Sequence, residues 1–330
     1  MLRSGTPSQL CIVFVSSGPY KINRGEIPKP LPCVLSGLLH CDSFRNADSA
    51  ASVTIIMRFE FISVREELRP YIQSIWIFES PVGMLPSDNN LAAPNGCPKL
   101  IFNYENSITS IVEGRVQESR EHCLYFAGTR DCSAVLRTKS GKACCIGIEF
   151  YPHGAYPVFG IPMAEMTNRL LPAELLSAEW HLEVRDILPE LKSAKEAADF
   201  IQSQLVRLLG KRRLRNTIVE YCINSLKSTN GLMTIADLER KTGYTRRHLE
   251  ILFGDHVGFS PKVLAGIFRF QKFYKKWAYG RSFDEFKDEL YKYYYDQAHF
   301  TKEFKRMTGF PPKFFATEVS NEFGRQLTIR

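Results

Sequence analysis

Several signatures are missing from this 330-residue chain, and each absence removes a class of function. No run of about 18 apolar residues exists, the length a helix needs to cross a bilayer, so no membrane partner is expected. The nine cysteines fall at Cys11, Cys33, Cys41, Cys97, Cys123, Cys132, Cys144, Cys145 and Cys222. Their number is odd, none forms a CxxC pair, and none stands at zinc-finger distance from a histidine, which leaves no disulfide framework and no structural zinc site. Scattered thiols of this kind read as small apolar core residues in a reducing, cytoplasmic compartment. Ser/His/Asp spacing, a phosphate loop and paired carboxylates are also lacking, so no catalytic residue is assigned and an enzyme is not expected. His122 and His153 stand far apart without a third partner, which argues against a metal-binding barrel. No cofactor is implied.

Charge is plentiful but unevenly placed. Residues 211–330 hold 23 Lys+Arg against 13 Asp+Glu, while the whole chain is only +8, so residues 1–210 are slightly acidic. A basic segment beside a near-neutral one suits a polyanion partner or simply a solubilising surface.

Taken in order, residues 1–56 differ from the rest. They hold a short apolar run, Leu10–Val15, then Pro28, Pro30 and Pro32 and a Ser/Ala/Asp-rich stretch. They are expected to be a disordered leader or an upstream extension preceding a natural start at Met57. Residues 57–175 read as a β-rich regulatory domain, a small sandwich or cupin-like barrel. Strands are predicted at Tyr71–Phe78, Lys99–Tyr104, Ile108–Val112, His122–Phe126, Ser133–Arg137 and Ala143–Phe150. The turns between them carry Gly, Pro, Asn and Asp, as in Gly128-Thr-Arg-Asp131. Residues 176–213 turn helical and are predicted to be a linker interrupted near Pro189.

The C-terminal third holds one pattern twice, at a spacing of 51 residues. Tyr244, His248, Phe253, Gly258, Phe259, Pro261 and Lys262 recur as Tyr295, His299, Phe304, Gly309, Phe310, Pro312 and Lys313. Seven identities at one spacing mark an internal duplication. Thr234-Ile-Ala-Asp237 and Ser282-Phe-Asp-Glu285 both have capping-box form. A short helix, a break at Thr242-Gly243-Tyr244 and a second helix over Thr245–His256 make a helix-turn-helix. On its second helix Leu249, Leu252 and Phe253 are buried, while Arg246, Arg247 and Glu250 face out near the N-terminus. The second copy places Phe283, Phe286 and Leu290 on one face, then a helix over Asp296–Met307. Its Phe300 and Phe304 face inward, and Gln297, Ala298, His299 and Lys302 face outward. Between the copies, Lys262–Lys276 is predicted to be one helix whose basic face can lie along a nucleic-acid backbone.

Gly243-Tyr-Thr-Arg-Arg-His-Leu249, Val257-Gly-Phe-Ser-Pro261, Tyr294-Tyr-Asp-Gln-Ala-His-Phe300 and Thr308-Gly-Phe-Pro-Pro312 together resemble the AraC/XylS family of bacterial transcription regulators. The resemblance covers residues 214–318, with 319–330 as a tail. It implies an all-α, homeodomain-like domain whose two helix-turn-helix units enter successive major grooves. By the matching positions Arg247, Glu250 and Ile251 would face bases, with Ala298, His299 and Lys302 as counterparts. Thr245, Arg246, Gln297, Lys305 and Arg306 complete the expected DNA contacts. Gly243, Tyr244, Phe253, Gly258, Pro261, Tyr295, Phe304, Gly309 and Pro312 are the expected structural motif. Gly147–Ala155 with Phe159-Gly-Ile-Pro162 is similar to one variant of the family's β-rich half. The implied partners are double-stranded DNA, RNA polymerase and a small-molecule effector. Monomer and homodimer are both compatible, since one chain carries two reading heads.

Two departures stand out. Tyr291, Lys292, Tyr293 and Tyr294 occupy the region where the family has a glycine turn, and about two residues look inserted, which predicts a less regular second unit. Ile251 stands where a polar base-reader is common and points to a thymine methyl. An interaction protein whose second unit no longer reads DNA, and an enzyme with a fused targeting module, are the alternatives.

Overall fold

The computed structural model describes residues 57–210, 215–280, 282, 285 and 287–329. The leader 1–56, its three cysteines, Phe283 and Phe286 lie outside the described residues. The first part of the chain supplies β1 (Arg58–Ile62), β2 (Ile72–Ser80), β3 (Leu91–Ala92), β4 (Lys99–Glu105), β5 (Ile108–Val112), β6 (Arg115–Ser119), β7 (Leu124–Ala127), β8 (Ala134–Thr138), β9 (Ala143–Phe150) and β10 (Leu170–Pro172). They form a six-stranded sheet, β1-β2-β9-β4-β7-β10, and a four-stranded sheet, β3-β8-β5-β6. All pairings are antiparallel.

Strand β9 shows why the larger sheet is buried on both faces. Successive side chains of a strand point to opposite sides. Cys144, Ile146, Ile148 and Phe150 join one core, while Ala143 and Cys145 join another between the sheets with Phe59, Trp76 and Phe78. The first core is roofed by α1 (Ala155–Phe159), α2 (Ala178–Ile187) and α3 (Ala194–Gly210). The helical segment expected as a linker therefore lays its apolar stripe on the sheet: Trp180, Val184, Ala197, Ile201 and Leu205 share a core with Ile148 and Phe150. Pro189 sits in a 3-10 turn, Leu188–Glu190, between α2 and α3.

The remaining chain forms α4 (Thr217–Ser228), α5 (Ile235–Thr242), α6 (Arg246–Val257), α7 (Pro261–Ala278), α8 (Lys287–Tyr293), α9 (Gln297–Thr308), α10 (Pro312–Glu318) and α11 (Glu322–Thr328). Helix α7 has 18 residues, roughly 27 Å at the α-helical rise, and joins two cores. Its Leu264 and Ala265 pack with α4, α5 and α6, and its Phe270, Phe273 and Trp277 pack with α9 and α10.

The tail after 318 is not free. Helix α11 inserts Phe323 beside Phe59 and Phe78, with ring centroids 5.7 and 5.5 Å away. Asp88, in the loop before β3, accepts the N–H groups of Glu322 and Phe323 at 2.9 and 3.2 Å and the Ser320 hydroxyl at 2.8 Å. A carboxylate at a helix start satisfies N–H groups that have no partner within the helix. Asn321 pairs with the Leu91 backbone in both directions, accepting its N–H at 2.7 Å and donating to its carbonyl at 3.2 Å.

Candidate nucleic-acid interface

The first unit is built by local capping. Thr234 accepts the Asp237 N–H at 3.1 Å and its own N–H donates to the Asp237 carboxylate at 3.3 Å, the reciprocal box that starts α5. Gly243 ends α5 in the left-handed conformation, and Thr245 caps α6 by accepting the His248 N–H at 3.3 Å. Phe253 is fully buried, and Pro261 is buried at the first position of α7. Arg246, Arg247, His248, Glu250 and Ile251 are all exposed. Arg246 is drawn to Glu250 one turn away, at 2.9 Å. Ile251 is 56% exposed, an isolated apolar side chain amid charge. Tyr244 stacks on His248 with centroids 4.7 Å apart.

The second unit repeats this geometry. Asp296, 51 residues after Thr245, caps α9 by accepting the His299 N–H at 2.7 Å. Helices α6 and α9 both have 12 residues and both end on a left-handed glycine, Gly258 at φ 89° and Gly309 at φ 86°. Gln297, Ala298, His299, Lys302 and Lys305 are exposed, and Phe304 and Pro312 are buried. Ser282 donates its N–H to the Glu285 carboxylate at 3.0 Å, one half of the expected box.

The tyrosine run resolves differently from the sequence alignment. Tyr295, expected as the counterpart of Tyr244, is 91% exposed. The buried ring is Tyr294, which packs against Phe273 and Phe300 and meets His299 edge-on at 5.4 Å. No residue from Lys287 to Asp296 has a positive φ, so the chain turns here without the left-handed conformation that a glycine supplies elsewhere.

The basic face of α7 is largely committed. Arg269 pairs with Glu303 at 3.4 Å, Lys272 with Glu289 at 2.9 Å, and Lys276 also with Glu289. These pairs bind α7 to the second unit instead of leaving that face for a phosphate backbone. Arg306 is likewise held, by Asp131 at 2.9 Å.

Helices leave their last carbonyls without internal partners, and the β-rich part supplies them here. Thr129 donates its hydroxyl to the Val257 carbonyl at 2.9 Å and Thr167 to the Gly258 carbonyl at 3.0 Å, closing α6. Ser133 donates its N–H and its hydroxyl to the Met307 carbonyl at 2.8 and 2.7 Å, closing α9. The C-terminal ends of both helices thus rest on the β-rich part, while their N-terminal ends stand exposed. None of these gripping residues was marked by the sequence: Thr129 and Asp131 lie in a stretch legible only as a turn. His256, near the end of α6, is buried against Tyr156 at 4.2 Å, and burial holds its pKa below the usual 6.5.

The charge pattern can attract a phosphate backbone and present Arg247 and Lys302 to base edges. Among the described residues, no cluster of three or more His, Cys, Asp or Glu is placed to hold a metal ion. No helix among them is long and apolar enough to cross a membrane.

A family model described as a domain of unknown function (DUF6597) matches residues 61–172. None of the curated proteins matches the chain. Among solved structures the chain is similar to ToxT from Vibrio cholerae, at 11% identity and a TM-score of 0.41, over 73% of this chain and 97% of that one. It is similar to the Cupin_2 domain of an XRE family transcriptional regulator from Enterobacter cloacae, at 13% identity and a TM-score of 0.24, over 29% of this chain and 97% of that one. It is also similar to the EutQ protein of Clostridium difficile, at 13% identity and a TM-score of 0.22, over 32% of this chain and 74% of that one. Likenesses this remote lend no weight to a function.

Proposed function

We propose that the chain is a sequence-specific DNA-binding transcription regulator that reads two successive major-groove segments with α6 and α9. The β-rich part would sense an effector or partner, and RNA polymerase is a further candidate partner. The observation that carries this reading is the duplication. The two helices are equal in length, begin on equivalent caps and end on equivalent glycines 51 residues apart. Each exposes its N-terminal turn, the end from which recognition helices reach base edges. Arg247 can fork onto guanine, Ile251 can meet a thymine methyl, and Lys302 can reach guanine or phosphate.

The second unit supports the narrower reading of a backbone clamp. It offers Ala298 where the first offers Arg247, and Arg306 is already paired with Asp131. Selection of bound fragments from a random DNA pool with the full chain tests both. Two boxes about one helical turn apart are expected, with Arg247→Ala relaxing one and Lys302→Ala the other, each by about 1–3 kcal/mol. A single box assigns α9 to backbone contact. No enrichment at near-physiological salt refutes the DNA-reading function.

A further inference from the structure

The turn into α9 carries the run Tyr291-Lys292-Tyr293-Tyr294-Tyr295, and its tyrosines have separate fates. Tyr293 and Tyr294 pack on Phe273 of α7, with ring centroids 5.5 and 5.9 Å away. Tyr294 also donates its N–H to the Leu290 carbonyl at 2.9 Å, and Asp296 caps α9. Tyr295 is thus held between two fixed neighbours, and with Tyr294 turned inward its own ring stands outward. Among the described residues it makes no ring contact and no side-chain hydrogen bond. The first unit differs at the same place. Tyr244 also stands just before a cap, Thr245, but its ring lies on His248 of its own helix. Tyr244 is 36% exposed and Tyr295 91%, so the second unit alone turns this ring clear of its helix.

The C-terminal end of α9 rests on the β-rich part through Ser133. Tyr295 lies at the opposite end, roughly 18 Å away along a 12-residue helix. With the first turn of α9 in the major groove, a residue just ahead of that turn lies outside the helix, at the rim of the groove, where the phosphates run. Several cations of this unit are already committed: Arg269 to Glu303, Lys272 and Lys276 to Glu289, and Arg306 to Asp131. Tyrosine is among the side chains whose hydroxyl serves phosphate oxygens. A neutral donor also suits a place next to the Asp296 carboxylate, which would hold a lysine to itself. We propose that Tyr295 donates its phenol O–H to a phosphate oxygen at the rim of the groove that α9 enters, and so fixes the register of the second unit. This contact rests on the DNA-reading function proposed above.

The test uses the full chain, the duplexes enriched in the selection above, and Tyr295→Phe, which keeps the exposed ring and removes only the hydroxyl. Tyr295→Phe is expected to raise the Kd about fivefold or more, by the same factor for every enriched duplex, since a phosphate carries no sequence information. The slope of log Kd against log salt is expected to stay as it was, because a neutral phenol releases no counterion. A set of duplexes, each with one uncharged methylphosphonate, then locates the contact. One such substitution, outside the box that Arg247→Ala relaxes, is expected to weaken the unmutated chain and to weaken Tyr295→Phe no further. An unchanged Kd in Tyr295→Phe overturns the contact. So does a loss that varies with the duplex sequence, which would mean a base contact. So does a set in which every methylphosphonate weakens both proteins equally. An unmutated chain that binds no DNA overturns the DNA reading and the contact together, whereas a chain that binds DNA as tightly with Phe at 295 overturns the contact alone.

Discussion

Alanine at Gly258 and at Gly309 tests the grip of the β-rich part on the end of α6. The two glycines occupy the same place in the repeat and nearly the same backbone conformation, at φ 89° and 86°. Forcing a Cβ into that left-handed region costs about 1–2 kcal/mol at either position. Their surroundings differ. A Cβ at Gly309 would meet nothing within 4 Å, whereas one at Gly258 would lie 2.7 Å from the hydroxyls of both Thr129 and Thr167 and 2.8 Å from the Met163 carbonyl. Overpacking of that kind costs about 1–3 kcal/mol. It would also push away the Thr167 hydroxyl, which donates to the Gly258 carbonyl itself, for a further loss of about 0.5–1.5 kcal/mol. Gly309→Ala is therefore expected to cost about 1–2 kcal/mol and Gly258→Ala about 2.5–6.5 kcal/mol. Urea unfolding of the full chain measures both, and hydrogen exchange at residues 129–133 locates the damage. Equal costs, or faster exchange at that loop in Gly309→Ala only, would show that the contact does not exist in solution.

Two further outcomes follow from single residues. Asp88→Ala removes the acceptor for two N–H groups of α11, one of them on fully packed Phe323. Loss of a cap and of charge-assisted hydrogen bonds should release α11 at a cost of roughly 2–4 kcal/mol, seen as faster exchange or cleavage at residues 320–329; unchanged protection there contradicts the docking. For His256, burial lowers the folded-state pKa, so the unfolded chain takes up a proton near pH 6.5 while the folded chain stays neutral. Stability is full above that pH and falls as pH drops from about 6.5 toward the depressed folded value. His256→Gln should flatten the decline in urea midpoint between pH 7.5 and 5.5, and a decline as steep as in the unmutated chain refutes this role.

What could be seen in advance was what short-range chemistry dictates. Thr234 with Asp237, Thr245, Asp296, Gly258 and Gly309 are caps that act within a few residues of themselves, so the helices they bound are written locally. Strands β2, β4, β5 and β9 are rich in β-branched, aromatic or other apolar residues and announce themselves. Strand β6 does not: Arg-Val-Gln-Glu-Ser is polar, and Val116 is 68% exposed. It exists because β5 offers a partner across the two-residue turn Glu113-Gly114, both at positive φ. Strand β3 is two residues long and likewise depends on its neighbour β8.

The larger decisions needed the folded chain. The stripe on α2 and α3 could pack on the sheet or on a second subunit, and only the apolar face that β9 turns toward these helices settled which. Helix α11 is too short to hold itself together, and its cap, Asp88, lies 234 residues away. Tyr294 and Tyr295 are identical letters, but packing on Phe273 and Phe300 buries the first and leaves the second in water. The residues that close α6 and α9 lie in two separate turns of the β-rich part, Thr129 and Ser133 in one and Thr167 in the other. Their neighbours in space are distant in sequence, and no local pattern records them.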